Sequence, residues 1–139
     1  MELVIDHRLP CAPSRVFPMV DDLARYPQWM GLVHEAVVVD AGVWVVELRA
    51  RVGPFARSKR LRMERVVCDE PQHVRFERRE VDGANHGTWV LDARLSGTET
   101  TDLRVELRYG GRLWSAVVER VLRDEVERSK ARLSDLVSG

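Results

Sequence analysis

Five polar residues stand where the surrounding pattern calls for an apolar one. His7 alternates with Leu3, Ile5 and Leu9, and Arg65 alternates with Leu61, Met63 and Val67. Arg78 follows Val74 and Phe76, Tyr109 closes the series Leu103, Val105, Leu107, and Ser129 interrupts an apolar stripe at helical spacing. That phase aims all five toward a core. A buried arginine needs a partner or a wet cavity, because an isolated buried charge is very costly. The other reading of Arg65 and Arg78 places them near strand ends, reaching solvent along their apolar stems. Arginine stays protonated, so Arg65 can polarise a carbonyl or hold a carboxylate but cannot act as a base. Proton transfer would fall to Tyr109 or His7, the inward-phase groups able to give or take a proton. For His7 the plainer assignment is a core or edge histidine with satisfied hydrogen bonds.

Other chemistries are poorly served. His7, His34, His73 and His86 are scattered over different segments with no pair at metal-ligand spacing, so no metal is expected. His34 and His73 fall among charged neighbours and are expected in solvent. No G-x-S-x-G elbow, phosphate-binding loop or dinucleotide fingerprint occurs, and no cofactor is called for. Cys11 and Cys68 have neither metal nor redox spacing, and Cys68 is out of phase with Leu61 and Met63 and has no obvious activating base. A reduced, cytoplasmic setting follows as an expectation. The 22 basic and 22 acidic residues cancel, so no bulk field advertises a nucleic acid or a membrane. Arg57, Lys59, Arg60, Arg62 and Arg65 form a basic run, but no aromatic residue is interleaved to stack a base. Arg60 and Arg62 share the outer face with Glu64, which reads as a solvated strand face. No apolar run is long enough to span a bilayer, and MELVIDHR lacks an export-signal core.

These groups must be positioned by the elements around them. The 139 residues suit one domain, 1–139, able to bury a core without staples. The first nine residues alternate as a strand that Pro10 stops. A short helix is expected from Pro13, a residue suited to a first helical position, to Val20, with a kink or early end at Pro18. Asp21 or Asp22 can cap a second short helix reaching about Gln28. From Leu32 to Tyr109 the period is two, and turn residues divide it into strands at about 32–40, 43–53, 56–69, 73–80, 86–95 and 100–109. Short turns imply antiparallel neighbours. From Arg112 to Val137 there is neither proline nor glycine, and Trp114, Val118, Leu122, Val126, Leu133 and Leu136 form a stripe widened by Val117 and Val121. Such a helix would be about 39 Å long, enough to cross a whole curved sheet.

The N-terminal strand followed by CAPSRVFPMVDDLARYPQWM, the text YPQWMGLVHEAVVV, the strand HGTWVL and the long last helix occur in a distinctive order. Over essentially the whole chain it resembles the START-related superfamily of polyketide cyclases, coenzyme Q-binding proteins and birch-pollen-allergen-like proteins. The resemblance implies an α+β helix-grip fold: a seven-stranded antiparallel curved sheet around a long C-terminal helix, with two short helices after the first strand. It also implies a deep pocket between the concave sheet and that helix.

A hydrophobic or amphipathic small molecule is the expected partner, such as a lipid, a quinone or a polyketide-like compound. The expected lining is Tyr26, Trp44, Leu48, Met63, Phe76, Trp89, Leu91, Val118 and Leu122, with Arg65 as polar anchor. Each tryptophan, including Trp29 and Trp114, reads first as core packing. In the aromatase/cyclase branch a pocket arginine precedes a valine, which Arg65–Val66 matches, and Tyr26 falls at a tryptophan position. That branch's pocket tyrosine falls at Val33, which has no proton to give. The half match favours a non-catalytic binding protein, with Arg65, Tyr109 and His7 as candidates for any catalysis. The alternatives are a polyketide cyclase or dehydratase and an interaction protein of the ribosome-associated toxin type. Either a monomer or a homodimer fits the pattern.

Overall fold

A computed structural model describes residues 2–52, 54–110 and 116–138. The elements are β1 (Glu2–Leu9), α1 (Pro13–Val20), a 3₁₀ helix (Leu23–Gln28), β2 (Val33–Asp40), β3 (Val43–Val52), β4 (Phe55–Asp69), β5 (His73–Arg78), β6 (Trp89–Ser96), β7 (Thr101–Tyr109) and α2 (Ala116–Val137). The seven strands form one antiparallel sheet in the order β1-β7-β6-β5-β4-β3-β2. This is the expected helix-grip architecture. The expected helix start at Arg112 and the stripe residue Trp114 lie outside the described residues, as do the side chains of Val117, Val118, Val121 and Leu122.

Local chemistry sets the boundaries. Pro13 occupies the first turn of α1, and the helix stops two residues after Pro18, with the Asp21 amide donating to the Phe17 carbonyl at 2.9 Å. The Asp22 carboxylate caps the 3₁₀ helix, accepting from the Ala24 amide at 3.0 Å. Pro27 inside it has no N–H for an α-type bond. Gly97 carries the β6–β7 turn at a φ of 115°, where a side chain would run into the Thr100 carbonyl.

Four details correct the sequence reading. The register of β4 slips between Arg65 and Val67, so Val66 is an extra residue. Val67 therefore stands opposite outward Arg75, and Cys68 opposite inward Val74, though Cys68 lies exposed at the strand end. The strands expected to reach Glu80 and to begin at His86 are shorter, ending at Arg78 and starting at Trp89. Glu80 turns the chain away by accepting from the Arg62 amide at 3.0 Å and from Arg78 Nε at 2.9 Å. On α2 the buried stripe runs Val126, Ser129, Leu133, Val137, leaving Leu136 42% exposed, because steps of three and four residues return to one face and Leu136 falls off it. His73 is no solvent histidine: its Nε2 meets Asp92 Oδ2 at 2.8 Å on the outer face, where Arg75 joins at 3.2 Å. Burial opposes charge on Asp92, but these partners hold its carboxyl below the ordinary value.

α1 and the 3₁₀ helix close one end of the concave face, and α2 packs against β1 and β3. At its middle, Glu125 accepts from the Gly31 amide at 3.1 Å, from Arg128 at 3.0 Å and from Arg132 at 2.7 Å, tying the helix to the loop before β2. A Cβ at Gly31 would meet the Glu125 carboxylate, so a larger residue there would push that flexible side chain out of its present place.

Candidate functional site

The inward residues of the sheet form two environments. Toward α1, β5 contributes Phe76, with no exposed surface, and β3 contributes Trp44. Tyr26 of the 3₁₀ helix meets Phe76 edge-on at 6.3 Å, Trp44 does so at 5.4 Å, and Tyr26 packs on Trp29 at 4.8 Å. Their polar tips are satisfied within the chain. The Tyr26 hydroxyl donates to the Val20 carbonyl at 2.8 Å, Trp29 Nε1 to the Met19 carbonyl at 3.0 Å, and Trp44 Nε1 to Asp22 Oδ1 at 3.1 Å. Complete burial pushes the Tyr26 phenol far above its ordinary value, so it cannot ionise. Arg65 belongs to this end. Its Nη1 donates to the Asp21 carbonyl at 3.0 Å, and its guanidinium lies 5.7 Å from the Trp44 ring centre. It borders an open groove of about 390 Å³ shared with Pro18, Asp21, Asp22, Arg25, Val38, Gly42 and Trp44. Desolvation raises the Asp21 carboxyl, with Arg65 opposing and Asp22 and Glu70 adding to the rise.

The other end lies where β6 begins and β7 finishes. Trp89 and Tyr109 stand opposite each other and stack at 5.0 Å with planes 18° apart. Lys59, inward on β4 beside Leu61 and Met63, places its ammonium 5.8 Å from the Trp89 ring centre. Arg78, inward on β5, donates to Glu80 at 2.9 Å and to the Gly87 carbonyl and His86 Nδ1, each at 3.3 Å. Burial first, and the Arg78 charge second, pull the Lys59 ammonium below the ordinary lysine value. Leu48 lies opposite Lys59, Met63 opposite both Trp44 and Arg78, and Leu91 opposite Phe76, so these three apolar residues join the two ends.

One pocket between the sheet and α2 has about 20 Å³ open to a water molecule's centre, lined chiefly by Leu3, Ile5, Met30, Leu32, Val105, Leu107, Val126 and Ser129. That admits one water. None of these residues is in the expected lining, although the same alternation marks most of them. Ser129 is satisfied locally, its hydroxyl donating to the Glu125 carbonyl at 2.9 Å. His7 pairs with Ser134 Oγ at 2.6 Å on the C-terminal half of α2. Burial and then the Lys130 charge lower its pKa, while Glu127 opposes them.

Expected residues thus fall into separate groups: Tyr26, Trp44, Phe76 and Arg65 at the α1 end, Trp89 and Tyr109 at the other, and His7 apart. Val118 and Leu122 lie outside the described residues. Sequence reading missed Lys59, taken there as one member of a basic run, although its parity with Leu61 and Met63 marks it as inward. Among the described residues no three His, Cys, Asp or Glu side chains are grouped to hold a metal ion, and no helix is long and apolar enough to cross a membrane.

Solved structures share this architecture. A conserved protein from Geobacillus kaustophilus matches with TM-score 0.74 at 10% identity over 99% of this chain and 95% of that one. A START superfamily protein from Mycobacterium smegmatis gives 0.72 at 13%, over 99% and 97%. The Zhui aromatase/cyclase from a Streptomyces species gives 0.70 at 12%, over 99% and 93%. At such identities the likeness shows the fold alone. No curated protein matches the sequence. The family model for polyketide cyclase / dehydrase and lipid transport matches residues 9–134, and the chain belongs to that family.

Proposed function

We propose that this domain binds a hydrophobic or amphipathic small molecule, of lipid, quinone or polyketide-like character, between the concave sheet and α2, and holds it without transforming it. What carries the reading is membership of a family described by polyketide cyclase / dehydrase and lipid transport, joined to a run of inward apolar and aromatic side chains from Trp44 through Met63, Leu48 and Leu91 to the Trp89–Tyr109 stack, each 5% exposed or less. Such a concave wall of apolar and aromatic side chains suits a ligand's body. Val118 and Leu122 belong to the proposal as the contribution of α2. Tyr26 serves as backing for Phe76, and Arg65 as a polar anchor, since a guanidinium has five N–H donors and the Asp21 carbonyl takes one.

The absence of catalysis is supported by the spread of the proton-carrying groups. His7 stands opposite Leu103, and Tyr109 lies six residues further along β7, roughly 20 Å away at strand rise. A general acid and base must share one substrate within hydrogen-bond reach. The unpaired Cys11 and Cys68 support a cytoplasmic location.

Mass spectrometry of an organic extract of freshly purified protein tests the reading; a co-purifying hydrophobic molecule is expected. Turnover of a polyketide-like substrate, cut roughly a hundredfold by His7→Ala or Tyr109→Phe, would instead make the protein a cyclase or dehydratase.

A further inference from the structure

We propose that the ligand is an anionic amphiphile, and that the Lys59 ammonium receives its negative group beside the Trp89–Tyr109 stack. The inference rests on the ligand-binding reading above and adds the chemical class of the ligand and its orientation.

Lys59 faces inward from β4, opposite Leu48 and two residues from Leu61, which is 2% exposed. Half-buried there, it has no carboxylate partner among the described residues. Of the described inward arginines, Arg78 has a carboxylate partner in Glu80 at 2.9 Å, and Arg65 gives one of its five donors to the Asp21 carbonyl at 3.0 Å. Among the described residues, the Trp89 ring at 5.8 Å is the contact that compensates the Lys59 charge. A cation–π contact makes up only part of the hydration that an ammonium gives up on burial. Burial and the neighbouring Arg78 charge both disfavour the ammonium, as its lowered pKa reflects.

An anion at this position would reverse both penalties, giving Lys59 a partner and neutralising its repulsion with Arg78. Charge-assisted hydrogen bonds of this kind are roughly twice as strong as neutral ones. The flat Trp89–Tyr109 pair beside it offers the apolar body of the same molecule a wall. The negative group therefore sits at the end of the sheet remote from α1, with the body running from the Trp89–Tyr109 stack toward Leu48 and Leu91.

Titration calorimetry with dodecanoate and its methyl ester, two probes alike in chain and different in charge, tests this on the full chain. Wild type is expected to bind dodecanoate at least about tenfold more tightly than the ester. Lys59→Met should abolish that preference by weakening dodecanoate alone, and Lys59→Arg should keep it. Circular dichroism and an unchanged thermal midpoint check that both variants are folded. Equal binding of the two probes by wild type, or an undiminished preference in Lys59→Met, would overturn the anion inference while leaving the ligand-binding reading intact. Binding of neither probe would count against both.

Discussion

The two ends of the concave face contain similar side chains and treat them in opposite ways. Beneath α1, three aromatic residues with polar tips, Tyr26, Trp29 and Trp44, each find an acceptor supplied by α1 or the segment just after it. Around them Phe17, Val16, Val20, Phe76 and Leu9 have no exposed surface. At the far end an aromatic pair is also buried, but the cation beside it, Lys59, lacks an acid partner among the described residues. The first arrangement serves stability, and the second carries an electrostatic penalty that no carboxylate among the described residues relieves. Binding sites characteristically sit where a fold gives up some stability.

The contrast can be broken by substitution. Phe76→Ala should cost about 3–5 kcal/mol in urea-induced unfolding, as expected for a fully buried aromatic. A cost below about 1 kcal/mol would show that the α1 end is not close-packed. Tyr26→Phe keeps the ring and removes the donor to Val20, so a loss of about 1–3 kcal/mol is expected from the stranded carbonyl. His7 adds a milder, pH-linked effect. Its lowered pKa means that the folded chain binds fewer protons than the unfolded one below the ordinary histidine value of 6.5. Stability should therefore fall as pH drops through that value and level off below the folded pKa. His7→Gln should flatten this part of the curve, and an unchanged curve would exclude His7 as its source. Smallest of all, Lys59→Met should leave stability within about 0.5 kcal/mol, with any change toward greater stability. A clear destabilisation would mean that Lys59 supports the fold and that the two ends do not differ as described.

Much of the architecture was legible because β3 and β7 keep strict alternation, and a covered sheet face admits no other phase. Legibility failed where one residue shifts the phase. Val66 reverses the parity of Val67 and Cys68, and nothing in the text RVVCD marks an extra residue there. Leu136 and Val137 are neighbouring apolar residues at the end of the stripe, and the helix turn decides which of the two faces the sheet. The candidate site was harder to read. Arg65 and Lys59 have the same parity, and the position of α1 separates them, bringing the Asp21 carbonyl to Arg65, whereas no described residue brings an acceptor to Lys59. His73 looked like a solvent residue because its partner, Asp92, lies on the next strand, 19 positions away.

The pairing of β1 with β7 has a consequence for how the chain comes into being. Glu2 lies opposite Arg108 and Leu9 opposite Thr101, and His7 reaches a serine 127 positions later. During synthesis the first strand must wait, with its apolar Leu3, Ile5 and Leu9 unsatisfied, until nearly the entire sheet has left the ribosome. Closing so large a loop is entropically expensive and slow. The β2–β6 meander can form by local hairpins first, and in that order of events the β7 edge stays open until β1 docks. At that stage its own N-terminus competes with any other extended chain for the same edge.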